Sequence, residues 1–504
     1  MNSPVTAAAS SSLASTPAIP PAPATPTAPS LESLVGSKTH GHPDGSYRLD
    51  RTIRAESGYD LVVAGGGPAG AAAAICAARL GAKVLLVEST GCLGGMGSSG
   101  LVTAFDPMAN GEQGLVGGFM LELVEAMYAR GFMSPGIDPD CWRKKFHHWS
   151  PFKAEGLKLM LDEFALTAGV EVRFFTRVID ADVDAQDHRV NGVVLSNVEG
   201  YSYVKARTFI DATGDAILAH LCGVVCREAG RDTSRIMPST LASLFTGVDW
   251  SVPRGYEQNT YLPQALADGH FTQYDRHLPG MSKVGHQVGY LNGGHLFNLN
   301  ALRCRDLSDG VMWGRKLALE YLEFYRKYVP GCANIEHVTT ASLLGIRESR
   351  RIVGEYELTL HDYLARREFP DQIGIFNKYV DIHPYDCTKE EYERFSTEKD
   401  KTARLKVGEW FGIPYGILVP RGWKNLWVAG RCASSDVSVH GSIRVQPAAS
   451  MMGQAAGTAA VQSLRTGLPA AEIDTAELIT TLRAHGANLP QKTLSRTLTT
   501  RTAQ

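Results

Sequence analysis

The segment Asp60-Leu-Val-Val-Ala-Gly-Gly-Gly-Pro-Ala-Gly70 narrows the choice of fold more than any other stretch of the chain. Leu61 to Ala64 is a short apolar run bounded by glycines, the pattern of a strand buried on both faces of a parallel sheet. Ala69 to Leu80 is alanine-rich and helical, with Gly81 behind it at a C-cap position. Lys83 to Glu88 is a second buried strand. Strand, glycine turn, helix and strand make one βαβ unit, so an α/β fold is expected. Inside the turn, Gly65-x-Gly67-x-x-Gly70 fits the G-x-G-x-x-G pattern, which is weak alone and much sharper in this setting. The first glycine makes the tight turn, the second lets backbone approach a pyrophosphate, and the third lets the helix pack on the strand. Pro68 and Ala69 lead into the helix, whose free N–H groups and dipole would meet the phosphates. Glu88 ends the second strand, 18 residues beyond Gly70. A carboxylate there suits ribose hydroxyls and would repel a 2′-phosphate.

Directly after Glu88 comes Ser89-Thr-Gly-Cys-Leu-Gly-Gly-Met-Gly97. With Gly94 and Gly95 at its centre, this second glycine-rich loop lets the chain run beside a pyrophosphate and on toward a flavin ring. The expected cofactor is therefore FAD rather than NAD. A glycine turn without a ligand is the plainer alternative.

The chain has 504 residues, more than the roughly 250–300 that one core usually serves. Its 44% hydrophobic and 20% charged residues, with a net charge of −2, carry no electrostatic footprint for nucleic acid or an anionic membrane. Nine cysteines without a C-x-x-C argue against a disulfide framework, a zinc ribbon or an iron–sulfur run, and suggest reduced thiols in a cytoplasmic setting. No stretch reaches the ~18 apolar residues of a membrane-spanning helix. No Lys or Arg precedes Lys38, so a signal peptide is not expected.

Composition and pattern divide the chain. Residues 1–57 read as a disordered Ala/Pro/Ser/Thr tail and an approach arm. Residues 58–150 and 151–216 read as the first two parts of a nucleotide-binding domain, 217–410 as a substrate or cap region, and 411–466 as the last part of the first domain. Residues 467–504 read as a surface helix and a Thr-rich tail. A helix is expected over Phe152 to Ala168, then strands near Glu171 to Phe175, Arg189 to Val198 and Tyr201 to Asp211. A long amphipathic helix is expected over Asp309 to Tyr328, and Thr359-Leu-His-Asp362 is a capping box.

Four stretches carry a resemblance: Asp60 to Gly97, Ile210-Asp-Ala-Thr-Gly-Asp-Ala216, Leu344 to Tyr356, and Pro414 through Asn425-Leu-Trp-Val-Ala-Gly-Arg431 to His440-Gly-Ser-Ile-Arg-Val-Gln-Pro447. Together they resemble the FAD-dependent oxidoreductases of glutathione-reductase-type fold, relatives of the fumarate-reductase and heterodisulfide-reductase flavoproteins. The resemblance implies an α/β, FAD-binding Rossmann fold with a second, inserted α+β substrate domain. It implies that Asp211, Gly214 and Asp215 lie near the cofactor, and that Val178 holds adenine by backbone groups. It also implies that Gly430 and Arg431 meet the ribityl and pyrophosphate, and that Ser442 to Gln446 run along the isoalloxazine. Pro447 is a good first helical residue for the small-residue helix that follows, whose dipole would favour the anionic reduced flavin.

FAD would carry the redox chemistry, so the protein must supply binding, orientation and charge. Arg347, Arg350 and Arg351 cluster, and at helical spacing Arg347 and Arg351 would share a face and anchor an anionic or polyhydroxyl substrate; a salt bridge is the alternative. His440 and Arg444 fall in a loop expected over the flavin. There His440 would be a general base or a packed histidine, and Arg444 would hold flavin or substrate oxygens. Asp381-Ile-His383, read as a strand with both side chains on one face, stays open between catalytic, structural and metal-ligating roles. The metal role is the least expected and no metal residue is assigned, because no further ligand set is spaced to complete a site. His147, His148 and His295 are pocket candidates.

The leading expectation is hydride transfer from a small organic substrate to flavin N5, the electrons then passing to oxygen or a carrier. No second G-x-G-x-x-G offers an NAD(P)H domain, and no C-x₄-C offers disulfide reduction. A single-component flavin monooxygenase using NAD(P)H is the second reading, although the halogenase W-x-W-x-I-P is absent. A non-catalytic or electron-relay flavoprotein subunit is the third, and the cysteines of an iron–sulfur cluster are missing for it.

Overall fold

The first βαβ unit forms where the sequence places it. Strand β1 (Arg54–Ala64) passes through the glycine turn into helix α1 (Pro68–Arg79) and strand β2 (Val84–Val87). Leu61 to Ala64 pairs in parallel with Val84 to Val87. Leu61 and Val63 enter one core cluster, Val62 and Ala64 another, so both faces are covered and the run is apolar throughout. The computed structural model describes residues 48–399 and 404–490. The disordered tail, most of the approach arm and the Thr-rich end expected from the sequence lie outside the described residues.

Helix α2 (Ala154–Ala168) ends on Gly169 in the left-handed conformation and returns the chain to β3 (Glu171–Arg173), parallel to β2. Strands β4 (Arg177–Asp184), β5 (Arg189–Asn197) and β6 (Gly200–Asp211) follow as an antiparallel meander. Strand β4 is not among the strands expected from the sequence. Asp180, Asp182 and Asp184 are poor strand formers, and they are tolerated because most of β4 stays at least partly exposed on the sheet edge.

The middle of the chain builds its own antiparallel sheet from β7 (Ser243–Thr246), β8 (Ser282–Lys283), β9 (Gly289–Leu291) and β10 (Glu336–Thr340), in the order β8-β9-β7-β10. Helix α3 (Cys304–Tyr328) begins five residues before the expected start and buries Tyr321, Leu322, Phe324 and Tyr325 in the cluster that includes Phe245 of β7. Further on, Leu358, Tyr363, Phe369, Ile373 and Phe376 belong instead to the large core that holds α1. The short helix Leu360–Leu364 starts on the expected Thr359–Asp362 capping box.

The chain then returns to the first sheet. Strand β11 (Leu426–Val428) lies parallel to the end of β6, and is followed by α4 (Val437–Ile443), α5 (Gln446–Thr466) and α6 (Thr475–Ala484). The main sheet has the order β3-β2-β1-β6-β5-β4, with β11 also on β6. Helix α5 lies directly against α1: a Cβ on Gly453 would sit 2.0 Å from the Ala69 carbonyl oxygen, and one on Gly457 would sit 2.3 Å from that of Ala73.

This close crossing gives the first test. Gly453→Val has to push α5 off α1, and is expected to cost about 3 kcal/mol in denaturant unfolding and to lower the bound flavin per chain. An unchanged unfolding midpoint would count against the crossing.

Candidate functional site

The carboxyl ends of β1, β2, β6 and β11 open into one cavity of about 1620 Å³, whose walls include Ala64, Val87, Ala212 and Ala429. Ligands of open α/β sheets bind outside the carboxyl ends of the strands. Of the residues singled out in the sequence, Gly65, Gly67, Pro68, Ala69, Glu88, Gly95, Val178, Gly214, Asp215, Gly430, Arg431, Gln446, Arg347 and Arg444 line it. Segments far apart in the chain therefore share one space.

The nucleotide half fits a dinucleotide cofactor on its backbone geometry. Gly65 has φ +94°, and a Cβ there would lie 2.6 Å from the Ala212 carbonyl. A Cβ on Gly67 would meet nothing within 4 Å, so this face is open to a ligand. No side chain caps the N-terminus of α1. Glu88 is fixed at the wall by the Gly66 amide, 2.7 Å from Oε2, and the Thr90 amide, 2.7 Å from Oε1. Each oxygen keeps acceptor capacity for a hydroxyl. The second glycine loop touches the first, with Gly94 donating to Gly66 O at 2.9 Å and Gly95 close against Gly67. At the far wall, Gln446 begins α5 and donates to Val102 O at 2.7 Å, while its buried Oε1 has no partner among the described residues.

Four of the singled-out residues stand behind the wall. Gly70 lets α1 approach β1, since a Cβ there would lie 1.7 Å from Gly65 O, and Gly94 shapes its loop with φ +98°. Asp211 is fully buried and braces the turn after β6, accepting from Thr213 N, Thr213 Oγ1 and Ala219 N at 2.9, 2.7 and 2.8 Å. Ser442 donates to Lys378 O at 2.5 Å and so positions that segment. Asp215 meets Arg431 at 2.7 Å and Ser349 Oγ at 2.6 Å, tying the turn after β6 to the stretch before Arg350.

The expected catalytic groups divide. His440 sits within helix α4 rather than in a loop, does not line the cavity, and lies 2.9 Å through Nε2 from Arg347 O. Burial, with the charges of Arg351 and Arg444, holds its pKa well below the ordinary histidine range. It props the Arg347 carbonyl as a neutral ring. The helical spacing expected for Arg347 and Arg351 is also absent. Arg350–Ile352 is a strand paired with Cys226–Glu228, and Arg351 is buried against Asp232 and Ser435 O.

Arg347 is the residue that faces the space. Its guanidinium donates to Pro238 O at 2.6 Å and Thr240 Oγ1 at 2.9 Å, and no carboxylate pairs with it among the described residues. Burial, reinforced by Arg444, pushes it down to about 9, which leaves it charged at neutral pH. Beside it, the Tyr290 hydroxyl is buried on the cavity wall without a partner among the described residues, and burial raises its pKa well above the usual value, so it remains a donor.

Other wall residues were missed in the sequence. Lys378 and Asp106 form a buried ion pair. Burial opposes the Lys378 charge, yet Asp106 and Asp381 hold its pKa above the ordinary lysine range. Lys378 follows the buried strand Gln372–Phe376, and no sequence spacing links it to Asp106. Asp381 and His383 both line the cavity, from an irregular segment rather than the expected strand, and Arg444 contacts Asp381 Oδ2 at 3.1 Å. His147 is held by Asn377 O at 2.8 Å behind the wall.

Residues 60–482 match the family described as FAD dependent oxidoreductase. A protein of Methanosarcina barkeri, described as an uncharacterized protein in the nifH2 5′ region, is 30% identical over 201 residues, which are 37% of this chain and 98% of that protein. Among solved structures, a geranylgeranyl bacteriochlorophyll reductase-like protein from Thermoplasma acidophilum is 13% identical, covering 88% of this chain and 94% of its own at a TM-score of 0.43. The flavin-dependent brominase Bmp2 is 16% identical, covering 85% and 83% at a TM-score of 0.42. The glycine loops, the strand ends and the family match over most of the chain lead to one conclusion: the protein belongs to the FAD-dependent oxidoreductase family.

Proposed function

We propose that this flavoenzyme oxidises a small organic substrate bearing a carboxylate or similar anionic group, and passes the electrons to oxygen or a carrier. The observation that carries this reading is Arg347, a buried cation with only neutral acceptors on the wall of the flavin cavity. A buried charge without a counter-ion is costly, and an anionic ligand would relieve that cost while making charge-assisted hydrogen bonds. The unpartnered Tyr290 hydroxyl offers a second donor on the same wall.

FAD, when bound, would supply a two-electron hydride acceptor. Gly65 and Gly67 would admit its pyrophosphate to the N-terminus of α1, and Glu88 would accept from ribose hydroxyls. Gln446 and the N-terminus of α5 would face the flavin end with donors and partial positive charge. Arg347 would orient the substrate anion, with His440 bracing its backbone and Tyr290 donating to the same ligand. Lys378 and Arg444, each tied to a carboxylate, would keep the wall polar without competing for that anion. Kinship with fumarate-reductase and heterodisulfide-reductase flavoproteins, carried by the four sequence stretches, belongs to the same proposal. So does a cytoplasmic setting, which nine unpaired cysteines support.

Anaerobic mixing with hydroxy acids, amino acids, sugars and NAD(P)H tests this. Bleaching of the flavin by an organic acid alone is expected. Bleaching that needs NAD(P)H and is stimulated by an organic partner would instead favour a monooxygenase, and a chain purified without flavin would sink the reading. Arg347→Met is expected to keep its flavin and to raise the half-saturating acid concentration about 100-fold, as loss of a buried charge-paired contact costs about 3 kcal/mol. Equal weakening toward uncharged substrates would remove the anion from the proposal.

A further inference from the structure

Three histidines that no sequence spacing connects meet at the cap side of the cavity. His277, His295 and His383 each bring a ring nitrogen to within 4.8 Å of the others. His277 and His383 line the cavity and His295 lies buried behind them. His295 Nε2 and His383 Nδ1 stand 3.0 Å apart.

The outer nitrogens of that pair face carboxylates. His295 Nδ1 is 3.3 Å from Asp275 Oδ1, and His383 Nε2 is 3.5 Å from Asp381 Oδ1. Both aspartates act as acceptors. Asp275 takes the Tyr392 hydroxyl and the His277 amide on Oδ1 and the His295 amide on Oδ2, and Asp381 takes Arg444. An imidazole lone pair would be repelled by such an oxygen, so each outer nitrogen carries the hydrogen. In neutral rings the inner nitrogens then present two lone pairs to one another at hydrogen-bond distance. Something electron-poor has to lie against them: a shared proton or a metal ion.

We propose that His277, His295 and His383 form a binding site for one divalent transition-metal ion, with an open position on the substrate side of the cavity. A shared proton needs two rings, whereas the third imidazole gives the donor set of a metal. Nitrogens bound at about 2.0–2.1 Å in a tetrahedral site lie about 3.3 Å apart, close to the spacing of the His295–His383 pair. His277, only partly buried, stacks on His295 with ring centroids 4.8 Å apart, so closing the set takes a turn of its ring toward the pair together with a shift on the order of 1 Å. Three neutral imidazoles favour an ion of the zinc, cobalt or ferrous type over magnesium or calcium. Asp275 and Asp381 behind His295 and His383 supply the carboxylate–histidine–metal arrangement that fixes tautomer and ring orientation. With Arg347 on the same wall, the open position would take an oxygen of the anionic substrate. This last role rests on the proposed function, whereas the metal site itself does not.

The test uses the full chain, freed of metal by chelator and desalted, with flavin and metal measured in the same sample. Titration with Co²⁺ is expected to give ligand-field bands to the red of the flavin absorption and about one ion retained per chain. His277→Gln and His383→Ala are expected to weaken Co²⁺ binding at least tenfold. Asp275→Asn should weaken it about 10–100-fold through its neighbour, and His220→Gln should leave it unchanged. Flavin-loaded wild type that retains no Co²⁺, or triad variants that bind it as the wild type does, would overturn the metal site and leave the flavin reading intact. Metal uptake by a chain devoid of flavin would do the reverse.

Discussion

The contact between α1 and α5 is the constraint on which the rest of the molecule depends. At Gly453 and Gly457 the two helices approach until the backbone of one meets the backbone of the other, a distance that no larger residue permits. The alanines of α1 and those from Ala448 to Ala460 complete the seam. Close packing of small residues contributes little hydrophobic area per residue, and its value here is positional. It sets the start of α5, with Gln446, opposite the glycine turn that begins α1. The nucleotide half of the cavity is the gap left between those two helix N-termini and the strand ends beneath them.

The same crossing explains why a site can be assembled from both ends of a long chain. Strand β11 adds to β6 in parallel and delivers Gly430 and Arg431 beside the Thr213–Asp215 turn. Arg431 bonds Asp215 and Ile346 O, and so draws the stretch leading to Arg347 against the nucleotide half. His440 then fixes Arg347 from behind. The cavity-facing Arg347 is therefore held by residues whose own positions are set by the main sheet, the support from rigid elements that an accurate site requires.

What the sequence revealed follows the range of the interactions involved. The βαβ unit, the Thr359–Asp362 cap and the long helix were legible because each is written within a few adjacent turns. Strand β4 was not, since its aspartates lower local propensity and only the neighbouring β5 supplies the compensation. Arg347 and Arg351 fit one helical face by spacing alone; the segment is instead a loop leading into a strand at Arg350–Ile352, and Arg347 meets Pro238 O and Thr240 while Arg351 meets Asp232 and Ser435 O. His440 carried a motif signal that could not separate a ring over the cofactor from one that supports the ring's neighbours. The pair Asp106–Lys378 and the meeting of His277, His295 and His383 left no trace in spacing, because their partners lie far apart in the chain and only the fold joins them.

The wall of the cavity has an electrostatic asymmetry that decides what it can hold. Lys378 is matched by Asp106, Arg444 by Asp381, and Arg431 by Asp215. Each of those charges is already paired, and a ligand anion gains little by approaching it unless it displaces a partner. Among the buried cations of this wall Arg347 alone meets only a carbonyl and a hydroxyl, so in the enclosed part of the cavity the strongest attraction is directed at one point, while Arg177, Arg276 and Lys389 line it from exposed positions. A substrate with a single anionic group would be oriented by such a wall. On the proposed function, selectivity for a compact monoanion would come as much from the cations already paired as from the buried one left without a counter-ion.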